Sequence, residues 1–342
     1  MFARLTRTAP AFWGKPSGII TDLLQPLGTA WDGVGRLRRA LSPSYCAPVP
    51  VVCIGNLVTG GAGKTPVALT LTAWLLERDA RVHIVSRGYG GRLRGPVRVD
   101  PSRHDATAVG DEALMLAARA PCWIARNRVA AVRAAVTAGA RAIVLDDGFQ
   151  DPTIGKTLAL IVVDAEYRFG NGRVMPAGPL RENLRSGIAR ADAVVVLRAE
   201  AKARGTEQTC TAIGRPVIRA TLAPIAGERL AGERLLAFAG IGRPEKFFAT
   251  LRSLGAILVG SQAFPDHHLF RAAEIDQLRR NAAHSGARLI TTRKDIVRLS
   301  PELRAGIEVL DVEVRWLDPA AVAQLMAPVI FPAGGNGSAP AD

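Results

Sequence analysis

Short apolar runs rich in β-branched residues alternate with helical patterns along most of the chain. The runs that predict strands before residue 200 are Val49–Ile54, Arg81–Ser86, Pro121–Ala125, Leu158–Asp164, Ala193–Leu197 and the apolar part of Ala140–Gln150. The segments that predict helices begin at Lys64, Glu112 and Asn127. Strands that alternate with helices are typical of an α/β fold with a parallel sheet.

A glycine-rich turn separates the first strand from the helix that begins with Lys64 and Thr65. In a P-loop, the backbone N–H groups of such a turn and the N-terminus of the helix bind phosphate oxygens. The lysine contacts the β- and γ-phosphates, and the threonine hydroxyl binds Mg²⁺. Val58 stands where the usual pattern has its first glycine, which leaves Asn56 free to hold the loop. An ordinary strand-to-helix turn is the alternative. We assign phosphate binding to Gly60, Gly61, Ala62, Gly63, Lys64, Thr65 and Pro66.

Two adjacent aspartates, Asp146 and Asp147, end the strand within Ala140–Gln150. A carboxylate at a strand end beside a P-loop is the Walker-B arrangement, which holds Mg²⁺. Neighbouring carboxylates repel each other unless a cation or hydrogen bonds compensate. We therefore predict a Mg²⁺ site here in preference to a polar turn, and the sequence leaves open which aspartate binds the ion directly.

Other polar residues stand at strand ends and helix starts. Arg87 and Tyr89 follow the strand Arg81–Ser86 in a glycine-rich loop, at the edge where open α/β sheets bind ligands. A flexible surface loop is the alternative. Asp111 stands immediately before a predicted helix, and by itself it reads as an N-cap.

The pattern changes beyond residue 200. Val217–Leu222 and Arg229–Leu235 read as two extended segments of a ribbon rather than as another crossover unit. A smaller α/β pattern follows, with strands at 235–241, 256–261, 287–292 and 307–312 and helices that begin at Pro244 and Arg271. The polar, glycine-rich end of the chain predicts a disordered tail.

The first 45 residues combine large apolar side chains with six basic and only two acidic ones. Aromatic residues such as Phe12 and Trp13 beside arginine suit a helix that lies in a membrane interface. A helical extension packed on the protein's own core is the alternative. No stretch reaches the ~18 uninterrupted apolar residues of a spanning helix, and no signal peptide with a cleavage site is evident.

The formal net charge of +14 indicates an anionic partner, although an arginine-rich genome composition would also produce it. Against nucleic acid as that partner, no recognised binding module is evident, and aromatic residues make up only 5% of the chain. The four cysteines lie far apart, which argues against a zinc site or a disulfide framework and fits a reducing compartment.

Taken in order, the motifs resemble those of the tetraacyldisaccharide 4′-kinase (lipid A 4′-kinase) family. In the first half, the matching segments are GNLVTGGAGKTP (55–66), SRGYGG (86–91), VGDEALML (109–116), LDDGFQ (145–150) and MPAGPLRE (175–182). In the second half they are FAGIGRPEKFF (238–248), FPDHH (264–268) and TTRKD (291–295). The last motif more often reads Thr-Glu-Lys-Asp in the family, so Arg293 receives no role.

The resemblance implies an ATP-dependent kinase at the cytoplasmic face of the bacterial inner membrane, bound peripherally. The family transfers the γ-phosphate of ATP to the 4′-hydroxyl of tetraacyldisaccharide 1-phosphate and forms lipid IVA. It has a P-loop α/β/α domain and a smaller α/β/α domain joined by a β-ribbon, with the active site between them. No obligate protein partner is implied. The boundaries that we predict are a membrane-associated segment (1–45), the P-loop domain (46–215), the ribbon (216–234), the smaller domain (235–330) and the tail (331–342).

The resemblance also implies roles for individual residues. Asp111 matches the family's base and His267 its partner, and the motif register selects His267 over His268 and Asp266. Lys64 would neutralise phosphate charge. For Mg²⁺ we assign Thr65, Asp146, Asp147 and Glu182, although a glutamate after an arginine in a loop is usually a surface ion pair. For the disaccharide and its 1-phosphate we assign Arg87, Tyr89 and Arg181, because an arginine fork binds phosphate bidentately.

A nucleotide-driven targeting or maturation factor of the same P-loop class is the rival interpretation. Thr292-Arg293-Lys294-Asp295 resembles a guanine-reading Thr-Lys-x-Asp motif, but its lysine stands one place late.

Overall fold

The computed structural model describes residues 10–78, 80–197 and 204–330. Two β-sheets organise these residues. The larger sheet contains β1 (Val51–Gly55), β2 (Val82–Ser86), β3 (Val97–Arg98), β4 (Cys122–Ile124), β5 (Ala142–Asp146), β6 (Leu158–Asp164), β7 (Ala193–Leu197), β8 (Val217–Pro224) and β13 (Val312–Trp316). The smaller sheet contains β9 (Arg234–Ala239), β10 (Ile257–Ala263), β11 (Arg288–Thr292) and β12 (Ile307–Leu310). We call each sheet with its helices the larger and the smaller unit.

The helices lie mainly between consecutive strands. They are α1 (Ile19–Leu41), α2 (Lys64–Leu76), α3 (Ala106–Val109), α4 (Asp111–Ala117), α5 (Arg128–Thr137), α6 (Leu184–Ala189), α7 (Arg204–Ala212), α8 (Pro244–Ser253), α9 (Ala272–His284), α10 (Arg293–Ile296), α11 (Pro301–Arg304) and α12 (Pro319–Ile330). Short 3₁₀ turns lie at Ala11–Gly14 and Gly227–Leu230.

The larger sheet is parallel at its centre. Its strand order is β13-β8-β7-β6-β1-β5-β2-β4-β3, and only the outer pairs β3–β4 and β8–β13 are antiparallel. The central strands β1, β5, β6 and β7 are buried throughout, as expected for parallel strands covered on both faces. Because β1 lies between β5 and β6, the P-loop and the aspartate pair leave neighbouring strands at the same edge.

Helices cover both faces of the larger sheet. One face packs against α2, α4 and α12 through a cluster that includes Leu71 and Met326. The opposite face packs against α5, α6 and α7 through a cluster that includes Val132 and Ile188. This three-layer arrangement buries the apolar strands on which the fold prediction rested.

The smaller sheet is parallel, in the order β10-β9-β11-β12. Helix α8 packs on one face through Phe248 and Leu251, and α9 packs on the other through Ile275 and Leu278. The predicted fold class, a P-loop type α/β unit with a second, smaller α/β unit, is confirmed.

The two segments that we predicted as a ribbon do not pair with each other, and the first of them belongs to the larger sheet. Val217–Pro224 does not pair with Arg229–Leu235; its antiparallel partner is Val312–Trp316, which follows the smaller sheet in the chain. Residues 229–233 instead lead into β9 of the smaller sheet. The prediction failed because the two paired strands are separated by the whole smaller unit, and a local pattern carries no signal for that pairing.

The end of the chain returns to the larger unit. Val322, Met326 and Val329 of α12 are buried in the same cluster as the P-loop helix α2. Residues 312–330, which we assigned to the smaller domain, therefore pack with the larger sheet. The predicted tail at 331–342 lies outside the described residues.

Candidate active site

The phosphate-binding turn is held from within by Asn56. Its side-chain Nδ2 donates to the carbonyl of Val58 at 2.7 Å and to that of Gly60 at 3.4 Å, which confirms the predicted role of Asn56 in the loop. Gly63 caps α2 in the left-handed region, with φ of 84°. Because Gly60 and Gly61 are exposed, the turn is open to a ligand at the N-terminus of α2.

Lys64 points toward the acidic end of β5. Its Nζ lies 3.3 Å from Oδ1 of Asn56 and 3.6 Å from Oδ1 of Asp147. Thr65 and Pro66 follow on the first turn of α2, both half-buried. The structure therefore brings the assigned phosphate-binding residues and Asp147 together at one edge of the sheet.

Asp146 is 1% exposed and poorly compensated. Its Oδ2 accepts a long hydrogen bond of 3.4 Å from Ser86, and its Oδ1 has no hydrogen-bond partner among the described residues. Burial, followed by the negative charges of Glu112 and Asp147, raises the pKa of Asp146 to about 7. A buried carboxylate with a free oxygen is a site that a cation would stabilise.

Asp147 has the opposite electrostatic environment. Burial acts to raise its pKa, but the charges of Lys64 and Arg181 outweigh burial and lower the pKa to about 2. Nη1 of Arg181 donates to Oδ1 of Asp147 at 2.9 Å, and Arg128 donates to the Asp147 backbone carbonyl at 2.8 Å. Its φ of 50° is left-handed, which is uncommon outside glycine and concentrates at functional sites.

The donor set at this edge fits Mg²⁺. Thr65, Asp146 and Asp147 offer oxygen atoms only, and Mg²⁺ is usually held by one or two carboxylates together with water and substrate phosphates. Within the described ranges, no three His, Cys, Asp or Glu side chains form a ready-made metal cluster. The residues present thus suit an ion that arrives with a nucleotide.

Glu182 is buried and is engaged by other residues. It is 1% exposed, and its Oε2 contacts Arg190 at 2.5 Å and Arg39 at 3.4 Å. Its Oε1 accepts from Gln150 at 3.2 Å. Both oxygens face donors in this conformation, so Glu182 would have to exchange partners to bind Mg²⁺ as predicted.

Helix α1 is anchored beside this part of the site. Trp31 Nε1 donates to the carbonyl of Arg181 at 3.2 Å, and Oδ1 of Asp32 accepts from the backbone N–H of Asn183 at 2.8 Å. At Gly28 the helix approaches so closely that a Cβ atom would lie 2.7 Å from the carbonyl oxygen of Val174. One narrow face of α1 is therefore fixed against the loop that carries Arg181.

The remaining face of α1 is exposed and apolar. Its exposed side chains are Ile19, Ile20, Leu23, Leu27, Trp31, Val34, Leu37 and Leu41, and that of Ile19 is 89% exposed. Trp13, which we predicted for the membrane face, is 9% exposed, and its Nε1 donates to the carbonyl of Pro176. Among the described residues, no helix is long and apolar enough to span a bilayer.

The predicted pair Asp111 and His267 meet across the two units. Nδ1 of His267 lies 3.0 Å from Oδ2 of Asp111, which is 4% exposed. The N-cap of α4 is Gly110, so the interpretation of Asp111 as the cap is wrong. His268 instead contacts Glu274 at 2.9 Å, which agrees with the motif register that selected His267.

Two further residues from the smaller unit complete this cluster. Arg298 donates through Nε and Nη2 to Oδ2 of Asp111, at 2.8 and 2.5 Å. Lys294 Nζ lies 3.3 Å from Nε2 of His267. Burial acts to raise the pKa of Asp111, but its hydrogen bond with His267 and the charges of Lys294 and Arg298 hold that pKa well below its usual range.

The loop Arg87–Tyr89 lies at the edge of the cluster. The exposed Tyr89 ring meets the His267 ring edge-on, with centroids 5.7 Å apart. Arg87 is exposed, and no contact joins it to the other candidate site residues that the structure describes. The predicted substrate residues are therefore divided: Tyr89 lies beside the Asp111–His267 pair, and Arg181 lies beside Asp147.

Charged residues also join the two units at the P-loop. Arg243, which precedes α8, donates to the carbonyl of Gly61 at 3.0 Å and to Oδ2 of Asp164 at 2.8 Å. Lys246 contacts the same oxygen of Asp164 at 3.1 Å and also pairs with Glu166. These contacts bring the start of α8 against the phosphate-binding turn.

Sequence reasoning assigned no role to Arg128, Gln150, Lys294, Asp295 or Arg298. Gln150, Lys294 and Asp295 stand inside motifs that were recognised, so the motifs carried a signal for them. Arg298 is separated from Asp111 by 187 positions, and no local pattern marks it.

Comparison with known proteins agrees with this architecture. A family model described as tetraacyldisaccharide-1-P 4′-kinase matches residues 20–330. The chain is 52% identical over 338 residues to a tetraacyldisaccharide 4′-kinase of Rhodospirillum centenum, with 97% of this chain and 99% of that protein aligned. It is 47% identical over 318 residues to one of Paramagnetospirillum magneticum, with 93% and 97% aligned.

A solved structure shares the fold. The crystal structure of LpxK from Aquifex aeolicus in complex with ATP superposes with a TM-score of 0.74 and covers 92% of this chain and 100% of that one, at 24% identity. At that identity the likeness concerns the fold alone. On the match to the family model and the identity to full-length relatives, the chain belongs to the tetraacyldisaccharide-1-P 4′-kinase family.

Proposed function

We propose that this protein transfers the γ-phosphate of ATP to the 4′-hydroxyl of tetraacyldisaccharide 1-phosphate and so forms lipid IVA. Family membership supports the reaction. The observation that carries it is the contact between Asp111 of the larger unit and His267 of the smaller one. A proton-accepting pair at the contact of the two units suits transfer to an acceptor hydroxyl, and simple nucleotide binding has no need of one.

The larger unit supplies the phosphate side of the reaction. Phosphoryl transfer depends mainly on positioning and on neutralising the charge of the phosphate chain. Lys64 and the backbone N–H groups at the start of α2 bring positive charge to the β- and γ-phosphates. Thr65, Asp146 and Asp147 would hold Mg²⁺, which would supply positive charge to neutralise the phosphate chain.

The cleft between the units supplies the acceptor side. Asp111 and His267 remove the proton of the attacking hydroxyl, and Tyr89 lies against His267 where a sugar ring can stack or bond. Arg181, held by Asp147 and Gln150, stands where it can contact the transferred phosphate or the 1-phosphate of the acceptor. Because the pair requires both units, separation of the units would stop the chemistry.

We further propose that α1 holds the protein peripherally on the cytoplasmic face of the inner membrane. A helix with an exposed apolar face and basic residues binds an interface through buried apolar area and attraction to anionic lipid. Arg36 and Arg38 lie exposed near the C-terminal end of this helix, whereas Arg39 contacts Glu182. Since α1 contacts the Arg181 loop directly, an acylated acceptor could enter the cleft without leaving the lipid phase.

The rival interpretation, a guanine-nucleotide switch, is disfavoured by the position of Asp295. This residue is fully buried, and its Oδ1 accepts from the N–H of Gly240 at 2.9 Å and from Arg298 at 2.9 Å. An aspartate engaged in this way is not available to read a base.

Acceptor-dependent ADP formation tests the proposed function. Purified protein with MgATP should release ADP only when tetraacyldisaccharide 1-phosphate in detergent micelles is present. ADP formation that is independent of the acceptor, or that requires GTP, would favour the switch. Lys64→Ala serves as the control for a contaminating kinase.

A further inference from the structure

We propose that Arg243 of the smaller unit is a positioning residue for the phosphate-binding turn. It holds the carbonyl of Gly61 so that the backbone N–H of Ala62 faces the phosphate groups of the nucleotide. This inference rests on the proposed kinase function and deepens it. It adds to the phosphate site a component from the unit that does not carry the P-loop.

The tip of the turn has little of its own to fix its backbone. Gly60 and Gly61 carry no side chain, and a Cβ atom on either would meet no atom within 4 Å. Glycine leaves the backbone more conformational freedom than any other residue. Asn56 holds the carbonyls of Val58 and Gly60 from within, and the carbonyl of Gly61 is the next along the turn. The peptide that follows Gly61 therefore depends on contacts from outside the turn.

Arg243 supplies such a contact from the other unit. Its Nη2 donates to the carbonyl of Gly61 at 3.0 Å. A trans peptide is planar, with its C=O and N–H on opposite sides, so the N–H of Ala62 points away from Arg243. Ala62 is 3% exposed, and among the residues that the structure describes its N–H has no hydrogen-bond partner. A buried donor of this kind suits an anionic ligand, because a buried N–H group without a partner is costly.

Arg243 is itself held by a rigid part of the larger unit. The same Nη2 donates to Oδ2 of Asp164 at 2.8 Å, and the guanidinium carbon lies 5.4 Å from the centre of the Tyr167 ring. Asp164 ends β6, which pairs with β1, the strand that leads into the turn. A planar guanidinium between a carboxylate and a carbonyl oxygen holds both at a fixed distance. The turn therefore takes its position from the end of a buried strand.

Asp164 is well suited to anchor this contact. It is 8% exposed, and its Oδ1 accepts from the backbone N–H of Glu166 at 2.9 Å. Burial acts to raise the pKa of Asp164, but the charge of Arg243, the N–H of Glu166 and the charge of Lys246 lower it. The carboxylate is therefore ionised at neutral pH and offers Arg243 a charged partner.

Lys246 shares this anchor but not the turn. Its Nζ contacts Oδ2 of Asp164 at 3.1 Å and also pairs with Glu166. In the described part of the chain, no contact joins its side chain to the phosphate-binding residues 60–66. Loss of Lys246 would remove an ion pair between the units and leave the bond from Arg243 to Gly61. The two residues thus separate attachment of the smaller unit from the position of the turn.

Replacement of Arg243 should weaken the binding of phosphate chains. We expect Arg243→Gln to raise the Kd for MgATP by about tenfold, the scale of one hydrogen bond to a charged group. Tripolyphosphate with Mg²⁺ carries the phosphate chain without the base and should lose affinity by the same factor. KM for ATP should rise with the Kd, while kcat at saturating MgATP changes less, because the lost contact acts when the phosphates bind. Isothermal titration calorimetry without the acceptor measures both Kd values.

Asp164→Asn separates positioning of the turn from direct contact between Arg243 and the phosphates. If Arg243 bound the phosphates itself, loss of the neighbouring negative charge would leave the Kd for MgATP unchanged or lower it. On our assignment Arg243 loses its anchor, and the Kd rises. The double variant of Asp164→Asn with Arg243→Gln should bind MgATP like Arg243→Gln alone, because residues that act as a unit are non-additive.

Two further variants on α8 are matched controls. Lys246→Met removes a positive charge from the same carboxylate and should raise the Kd by less than Arg243→Gln does. Arg252→Gln changes an exposed arginine in the last turn of α8 and should leave the Kd near wild type. Thermal unfolding of each variant checks that the fold is intact. If Arg243→Gln does not fold, a raised Kd for tripolyphosphate in Arg243→Lys is required instead.

Three results would overturn the inference: an unchanged Kd for tripolyphosphate in Arg243→Gln, an unchanged or lowered Kd for MgATP in Asp164→Asn, or equal Kd values in Arg243→Gln and Lys246→Met. Failure of the wild-type protein to phosphorylate the acceptor while it binds MgATP would reject only the proposed function. Normal wild-type transfer with an unchanged Kd in Arg243→Gln would reject only this inference.

Discussion

Replacement of Asp146 by asparagine should stabilise the nucleotide-free protein while it removes activity. The folded-state pKa of Asp146 is raised from 3.8 to about 7, chiefly by burial. An acid whose folded-state pKa is raised lowers the free energy of unfolding wherever the unfolded chain would hold it ionised. The cost is absent below the unfolded pKa, grows as pH rises from about 4 to about 7, and is constant above that range.

The two pKa values set the size of the effect. A difference of about 3 between them corresponds to about 4 kcal/mol of free energy of unfolding at pH 8. The asparagine amide brings N–H donors to a buried position, where an unsatisfied polar group costs about 1–3 kcal/mol. We therefore expect Asp146→Asn to gain about 1–3 kcal/mol at pH 8 and to lose about 1–3 kcal/mol at pH 4, where the cost of the charge is nearly absent and the cost of the amide remains.

Urea unfolding of the wild-type and Asp146→Asn proteins in the presence of EDTA measures the change in the free energy of unfolding at pH 4 and at pH 8. Asp151→Asn is the control, because the partly buried Asp151 is paired with Arg128 at 3.0 Å whereas the fully buried Asp146 has no cationic partner within that distance among the described residues. Burial acts to raise the pKa of Asp151, but hydrogen bonds from Thr153 and the charge of Arg128 lower it, so this variant should lose stability at pH 8. If Asp146→Asn also loses stability at pH 8, the account of Asp146 as an uncompensated charge is wrong.

Three other expectations follow from contacts already described. Lys64→Ala should lower kcat by at least about 100-fold with an unchanged melting temperature, because the charge of Lys64 acts on the transition state. Wild-type turnover in this variant would contradict the assignment of the nucleotide site to this loop. Leu23→Ser with Leu27→Ser should release the protein from anionic vesicles in a flotation assay, and binding equal to that of the wild-type protein would contradict the role of α1. Met326→Ala should cost about 2–5 kcal/mol in urea unfolding, since Met326 is fully buried under the larger sheet, and a loss below about 1 kcal/mol would argue that α12 does not support that sheet.

The sequence could predict the parts of the protein that local chemistry determines. The P-loop residues and the aspartate pair stand next to the strands that position them, so strand, turn and helix signals sufficed. Local chemistry did not distinguish His267 from His268 or Asp266; the register of the family motif did, and the contact of His268 with Glu274 agrees with it.

Features that depend on distant segments were not predictable in this way. The ribbon partner of β8 lies beyond the smaller unit, and Arg298 reaches Asp111 only through the contact of the two units. The position of Trp13 was not predictable either. An indole ring suits a membrane interface, but here its N–H donates to the carbonyl of Pro176 inside the protein. A single sequence contains no pattern that predicts whether such a residue lies in a membrane interface or in the protein interior.

The most direct test of the central claim is the transfer of labelled γ-phosphate from ATP to tetraacyldisaccharide 1-phosphate, with the position of the new phosphate determined by NMR. The account predicts a single labelled product that carries phosphate at the 4′ position, formed by the wild-type protein and absent with Lys64→Ala. Label that appears only as inorganic phosphate, or on any other position of the disaccharide, would contradict it.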